Sequence, residues 1–177
     1  MLAQEAGFEA VYISGAGLVN STAGYPDIGL FTLHEMANQA GYIARALQVP
    51  AICDADTGYG DVLQVVRTVQ AYECAGLAGL HLEDQVMPKR CGHLQGKSLI
   101  SIGTMQQKLT AALNARSNRD FMIIARTDAR SVEGFEASVE RSLRYLEIGA
   151  DAIFPEALES ADEFACFAER VDGVLLA

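Results

Sequence analysis

Apolar residues run along this chain in short blocks, separated by longer stretches of helical period. Three blocks share one pattern: Ala6-Gly7-Phe8-Glu9-Ala10-Val11-Tyr12-Ile13, Ala75-Gly76-Leu77-Ala78-Gly79-Leu80-His81-Leu82 and Ile148-Gly149-Ala150-Asp151-Ala152-Ile153-Phe154. Each is a helix end, a glycine at the C-cap, then a short apolar strand. The glycines stand 69 and 73 residues apart. One further strand fits each gap, at Pro50–Asp54 and Phe121–Arg126, and Gly173–Leu176 adds a last. Six strands at a spacing of roughly 35 residues predict repeated β/α units. The strands are continuous apolar runs, as in a parallel sheet covered on both faces.

The stretches between them predict helices. Thr32-Leu33-His34-Glu35 is a capping box ahead of a helix to about Leu47, and Ser160-Ala161-Asp162-Glu163 is a second box. Val62, Val65, Val66 and Val69 form an apolar stripe on a helix that ends at Gly76. Met105, Leu109, Ala112 and Leu113 mark another, and Phe135, Val139, Leu143 and Leu146 a fourth. No linker or low-complexity tract divides the chain, so residues 1–177 are expected to form a single domain.

Composition narrows the classes. Half of the 177 residues are apolar, enough for a sizeable core. No apolar run reaches a membrane-spanning length, and the N-terminus lacks the pattern of a signal peptide. The net charge of −10 argues against nucleic acid as a partner. It leaves small anionic substrates open, because a local field can oppose the net charge. The four cysteines form no C-x-x-C pair, and a cytoplasmic setting is expected. Cys53, Cys74 and Cys166 lie in apolar surroundings and are expected to be buried.

In parallel α/β sheets ligands bind at the C-terminal ends of the strands. Those ends carry Ser14-Gly15-Ala16-Gly17; Asp54-Ala55-Asp56-Thr57-Gly58-Tyr59-Gly60; Glu83-Asp84-Gln85; Arg126-Thr127-Asp128; and Glu156. Four of the five bear charge beside a buried strand. Packing alone does not place it there, because unpaired buried charge is costly. Asp54 and Asp56, one residue apart, can share a hard cation such as Mg²⁺ or Mn²⁺, and Glu83 can hold a metal-bound water. The bland alternative is a helix cap. Gly58 and Tyr59 stand where an EF-hand loop needs its third acidic ligand and its glycine. The Ser14–Gly17 turn offers backbone N–H groups for a carboxylate or enolate oxygen.

Cys91 follows Lys89 and Arg90 and precedes Gly92 and His93. Neighbouring positive charge makes a thiol a usable proton donor or nucleophile. Cys91 and His93 are only half of a zinc site. Gly92-His93-Leu94-Gln95-Gly96-Lys97-Ser98 is one residue short of a Walker-type phosphate loop, which excludes that reading. Arg126 is suited to bidentate carboxylate binding, with a salt bridge to Asp128, Glu156 or Glu83 as its structural alternative. His34 is expected on a helix surface, and His81 as a satisfied strand residue.

Together the motifs resemble the isocitrate lyase / phosphoenolpyruvate mutase superfamily, over essentially the whole chain. The resemblance rests on Glu83-Asp84-Gln85-Val86 with Pro88-Lys89-Arg90-Cys91-Gly92-His93, on Asp54–Gly60, and on Ala125-Arg126-Thr127-Asp128-Ala129. Phe154-Pro155-Glu156-Ala157, Tyr12-Ile13-Ser14-Gly15 and Tyr25-Pro26-Asp27 add to it. Within that superfamily the chain is most similar to the 2-methylisocitrate and dimethylmalate lyase group. The resemblance implies a (β/α)8 TIM barrel and a Mg²⁺-dependent carbon–carbon lyase acting on a 2-hydroxy di- or tricarboxylate. It implies Asp54 as a direct metal ligand, with Asp56 and Glu83 acting directly or through water. Asp27 would hold the water shell. Tyr12, Ser14, Gly15, Ala16, Gly92, Arg126 and Glu156 would contact substrate. Cys91 would be the general acid, with Lys89, His93 and Glu83 in the catalytic set, and the Lys89–His93 loop would close over the site. A homotetramer is implied for the full-length form.

The family's barrel has eight strands and about 250 residues. Here six β/α units are expected, with the chain beginning inside the first helix. An open sheet of that kind exposes two edges, so poor stability and weak activity are expected of this chain alone. Oxaloacetate hydrolase, phosphonate mutase or hydrolase chemistry on the same scaffold, and a non-catalytic remnant, are the alternatives.

Overall fold

Gly76 ends its helix at φ +90°, and Gly7 and Gly149 repeat that left-handed turn at +90° and +100°. Each turn redirects the chain into a strand. The computed structural model describes residues 1–92 and 94–176. His93 and Ala177 lie outside the described residues, and the expectation for His93 with them.

The order of elements is α1 (Leu2–Glu5), β1 (Val11–Ile13), α2 (Gly15–Ala23), α3 (Leu33–Ala46), β2 (Ala51–Asp54), α4 (Val62–Ala75) and β3 (Gly79–Glu83). Then come α5 (Ile102–Ala115), β4 (Met122–Thr127), α6 (Ala129–Val132), α7 (Phe135–Glu147), β5 (Ala152–Pro155) and α8 (Ala161–Arg170). The strands form one sheet in chain order, β1-β2-β3-β4-β5, with every pair parallel. This is an open half-barrel of β/α units. The expected sixth strand, Gly173–Leu176, is not a strand. It contributes a single parallel bridge, Leu175 to Ile153, through Ile153 N–H to Val174 O and Leu176 N–H to Ile153 O.

One sheet face packs against the helices. Ile13, Cys53, Leu80, Leu82, Ile123, Ala125 and Ile153 meet Val65, Val69, Tyr72, Met105, Leu109, Val139 and Tyr145, all buried. Burying each large aliphatic side chain contributes about 1.5–3 kcal/mol. The other face is concave and less covered than expected. There the register aligns Tyr12 with Ile52, Asp54 with His81, Glu83 with Arg126, and Arg126 with Phe154. Tyr12 on the edge strand is 42% exposed.

Several details differ from expectation. Cys74 and Cys166 are exposed, because the buried faces of α4 and α8 run through Val65, Val69, Tyr72 and Phe167, out of phase with the cysteines. Leu143 is 40% exposed on α7. The Thr32 capping box is complete, whereas Ser160 receives the Glu163 N–H while the Glu163 carboxylate turns to Arg130 and to the Glu159 N–H. The Ser14–Gly17 segment is the start of α2 rather than a turn between elements. Its two glycines weaken the helical signal, but Ser14 caps the helix by accepting from the Gly17 N–H at 3.2 Å.

Candidate active site

The C-terminal ends of β2, β3, β4 and β5 bring Asp54, Asp56, Glu83, Arg126 and Glu156 together. Asp54 ends β2 and is 4% exposed. Its Oδ1 accepts from the Asp56 N–H at 2.9 Å and lies 3.4 Å from His81 Nε2. Gly15, the first residue of α2, packs directly on it. A Cβ there would stand 2.6 Å from Asp54 Oδ2, so only glycine lets the helix N-terminus approach the carboxylate. The first-turn amides of that helix, from Gly15 and Ala16, are groups a helix cannot satisfy internally.

Asp56 sits at φ +47°, which places its carboxylate beside Asp54's loop and toward Lys89. Lys89 is buried at 2% exposure, donates to Asp27, and its Nζ lies 2.7 Å from Asp56 Oδ1. This ammonium is thus committed to two carboxylates rather than turned to Cys91. Asp27, far away in sequence, joins the cluster through it.

Glu83 ends β3 at 1% exposure. Its only charged neighbour at ion-pair distance among the described residues is Arg126, with Nη1 3.4 Å from Oε2, and neither Glu83 oxygen has a hydrogen-bond donor. The Arg126 guanidinium is held from several sides. Nε and Nη2 donate to Asp128 at 3.1 and 3.0 Å, Nη2 lies 3.2 Å from Glu156 Oε2, and the plane sits over the Phe154 ring. Tyr12, His81 and Phe154 pack as an aromatic floor beneath, with the Tyr12 hydroxyl 2.8 Å from His81 Nε2. His81 is less satisfied than expected, because its Nδ1 is buried without a partner among the described residues.

The electrostatics follow from crowding acids in a buried cleft. Burial pushes the Glu83 carboxyl well up, with Asp54 and Asp128 adding to it and Arg126 and Lys89 opposing. Burial and the Asp54 charge push Asp56 up to about 6, against Lys89. For Asp54 burial also works upward, but His81, Lys89 and Arg126 outweigh it and hold the carboxyl below its ordinary value. Burial takes the His81 imidazole down to about 4, so at neutral pH it is uncharged and the cations beside Asp54 are Lys89 and Arg126. Burial lowers Lys89, but Asp56, Glu83 and Asp54 raise it by more, so it stays charged.

The Cys91 loop lies across this cluster. Gly92 is buried, and a Cβ on it would come within 2.5 Å of both Arg126 Nη2 and the Glu156 carboxyl carbon. Half-buried Cys91 is therefore one residue from a backbone seated on the Arg126–Glu156 pair. Sequence reasoning assigned no role to the residues that hold this loop. Gln85 grips Arg90 at both ends, donating to its carbonyl and accepting from its N–H at 2.9 Å each. Buried Lys97 donates to the Gly92 carbonyl and to Asp128 Oδ1, the latter at 2.9 Å. Asp84 accepts from Thr127, the Asp128 N–H, Arg141 and Tyr145. The signal available was the run of polar residues after each strand, but the pairings that tie Lys97 to Asp128 and Asp84 to Thr127, Arg141 and Tyr145 span 31 to 61 residues and follow only from the fold. A cavity of about 650 Å³ opens beside Gly92, lined also by Gln95, Lys97, Arg130 and Ser131.

The donor set suits a hard cation. Asp54, Asp56 and Glu83 offer only oxygen, and both Glu83 oxygens are buried with no donor among the described residues, a state relieved by a cation or its water. Among the described residues no three acid, histidine or cysteine side chains converge tightly enough to enclose an ion unaided.

Comparison with known proteins shows the family of the chain. The family model of phosphoenolpyruvate phosphomutase matches residues 1–177. The chain belongs to that family. It is 57% identical over 177 residues to a 2-methylisocitrate lyase from Aeropyrum pernix, covering 100% of this chain and 56% of that protein. It is 49% identical over 171 residues to a 2,3-dimethylmalate lyase from Eubacterium barkeri, covering 97% and 59%. A crystal structure of 2,3-dimethylmalate lyase, a PEP mutase/isocitrate lyase superfamily member, superposes with a TM-score of 0.93 at 40% identity, covering 98% of this chain and 59% of that one. Oxaloacetate acetylhydrolase with 3,3-difluorooxalacetate gives 0.92 at 39%, covering 97% and 59%. Phosphonopyruvate hydrolase with oxalate and Mg²⁺ gives 0.86 at 32%, covering 98% and 60%. The chain thus spans somewhat more than half the length of the family members it matches. The half-barrel is the corresponding part of their TIM-barrel fold, and the named lyases mark it as a carbon–carbon lyase relative.

Proposed function

We propose that this chain carries most of the active site of a Mg²⁺-dependent carbon–carbon lyase. Its substrate would be a 2-hydroxy di- or tricarboxylate of the 2-methylisocitrate or 2,3-dimethylmalate type. The observation that carries the reading is the buried Asp54–Asp56–Glu83 cluster facing Arg126, with the Cys91 loop seated on Arg126 and Glu156.

Asp54, with Asp56 and Glu83 directly or through water and Asp27 in the outer shell, would hold the cation. Once bound, Mg²⁺ offsets the charge that develops on the substrate oxygens. Ser14, Gly15 and Ala16 at the start of α2 direct backbone donors at the α-keto-acid end, and the helix dipole favours an anion there. Tyr12, Arg126 and Glu156 orient the substrate, and Arg126 is fixed so that little ordering is left for the moment of binding. Glu83, pushed up by burial, is suited to accept the hydroxyl proton. The carbon–carbon bond then breaks. Its electron pair passes to the carboxylic-acid fragment as an enolate, while the hydroxyl carbon becomes the keto group. The Cys91 thiol gives its proton to the enolate carbon. The loop from Lys89 to Gly92, seated on Arg126 and Glu156, would exclude water meanwhile.

A second reading, hydrolysis of oxaloacetate, has the superposition with oxaloacetate acetylhydrolase in its favour. The two differ in products. Incubation with 2-methylisocitrate, 2,3-dimethylmalate and oxaloacetate in turn separates them. An α-keto acid from a hydroxy acid supports the lyase, whereas oxalate and acetate from oxaloacetate alone replaces it. Supporting features for the setting are four unpaired cysteines, in keeping with a cytoplasmic location, and no helix long and apolar enough to cross a membrane among the described residues. A homotetramer for the full-length form belongs to the same proposal.

A further inference from the structure

A buried cation lies behind the aspartates, outside the acid cluster. Lys108 is on α5 in the helical layer and is 7% exposed. Its Nζ donates at 2.9 Å to a neutral group, the carbonyl of Thr57. Burial presses the ammonium toward its neutral form, with Asp61 opposing. Desolvating an ammonium is costly where an uncharged donor would satisfy a carbonyl equally well.

Thr57 directly follows Asp56. Each carbonyl from residue 54 to 58 has a donor. Asp54 O receives the Tyr72 hydroxyl at 2.8 Å, Ala55 O the Gly58 N–H at 2.8 Å, and Asp56 O the Glu83 N–H at 2.9 Å. Thr57 O receives Lys108, and Gly58 O the Thr68 hydroxyl at 3.1 Å. Three of these donors are side chains of α4 and α5, reaching in from the helical layer. Between them Asp56 holds φ +47°, a backbone region that residues other than glycine rarely adopt. The turn is therefore held from the helical layer as well as by its own bonds from Asp56 N–H to Asp54 Oδ1 and from Gly58 N–H to Ala55 O.

We propose that Lys108 is a positioning residue for the aspartate turn: its bond to the Thr57 carbonyl keeps Asp56 in the left-handed conformation and so sets the spacing of the Asp54 and Asp56 carboxylates for a divalent cation. This rests on the metal reading of Asp54 and Asp56 given above.

Mn²⁺ alone is the probe, titrated by calorimetry into the wild-type chain and into Lys108→Met, Lys108→Arg and Asp54→Ala. Lys108→Met is expected to bind Mn²⁺ about tenfold more weakly, as loss of an outer-shell partner does. Lys108→Arg, which restores a donor, recovers most of the affinity. The urea midpoint of metal-free Lys108→Met is expected to fall only modestly, since the Thr57 carbonyl loses its donor while methionine keeps the apolar stem and a buried charge is removed. A lowered midpoint with unchanged Mn²⁺ affinity makes Lys108 a structural residue only and overturns the proposal. Amide exchange without metal supplies a second readout. Faster exchange confined to Gly58 and Glu83 in Lys108→Met supports the clamp, and unchanged exchange there overturns it. Equal Mn²⁺ binding by wild type and Asp54→Ala would instead refute the metal reading, and exchange would then decide the clamp by itself.

Discussion

Cys91 is one residue from Gly92, whose missing side chain is what lets the loop rest on Arg126 and Glu156. Its proposed task is to deliver a proton to carbon, and no oxygen of the acid cluster sits on that loop. Replacing Cys91 by alanine is expected to cut lyase turnover by about 10²–10⁴, the usual contribution of a positioned acid or base. Mn²⁺ affinity should not move, because the thiol is not among the oxygen donors. Steady-state turnover and a metal titration on the same variant check this, and undiminished turnover removes Cys91 as the acid. At this scale the sequence was informative wherever charge followed an apolar strand, as at Asp54, Asp56, Glu83, Arg126 and Glu156. It was silent on which charges pair. Lys89 seemed a neighbour of the thiol, yet its ammonium binds Asp27 and Asp56. Lys97 stood out only as part of a failed phosphate motif, yet it ties Gly92 to Asp128.

Elements are fixed by polar clamps as well as by their apolar faces. Asp84, at the end of β3, is fully buried and joins β4 to α7 through Thr127, Arg141 and Tyr145. Asp84→Ala leaves the Arg141 guanidinium short of one partner, though Glu133 still binds it. Breaking a buried ion pair from one side costs about 3–5 kcal/mol, and the exposed Glu133 partner places this variant toward the lower end. Urea denaturation measures the loss, and a change within error would contradict it. Glu73, near the end of α4, holds the turn before β4. Burial is the largest single influence and works against the ionised form, but the Asn118 and Ser117 N–H groups and the Ser117 hydroxyl together outweigh it and lower the pKa from 4.5. A lowered folded-state value means that the contribution is complete above pH 4.5 and fades as pH falls through the folded value. The stability gap between wild type and Glu73→Gln should therefore be constant above pH 4.5 and shrink below it, read from urea midpoints across that range. A gap that widens on acidification contradicts the clamp. The C-cap glycines and the Thr32 box were legible in the sequence because capping is local. The α2 helix was not, since Gly15 and Gly17 suppress its propensity while close packing on Asp54 demands them.

Across the whole molecule, the order of β/α units and the single parallel sheet were legible from the spacing of glycines and apolar runs. The number of strands was overstated, because Gly173–Leu176 has the composition of a strand but makes only one bridge to Ile153. Residual exposure on the concave face, with Tyr12 at 42%, reflects a sheet that does not close on itself. That face holds the acid cluster, so the architecture and the chemistry share one surface. The central claim is that this surface is a metal-dependent lyase site. The most direct test is α-keto acid release from 2-methylisocitrate by the chain, followed with Mg²⁺ present and after its removal by chelation. Release that requires Mg²⁺ and is lost in Asp54→Ala is the predicted result. Release that persists without a divalent cation, or that survives the loss of Asp54, would contradict the account.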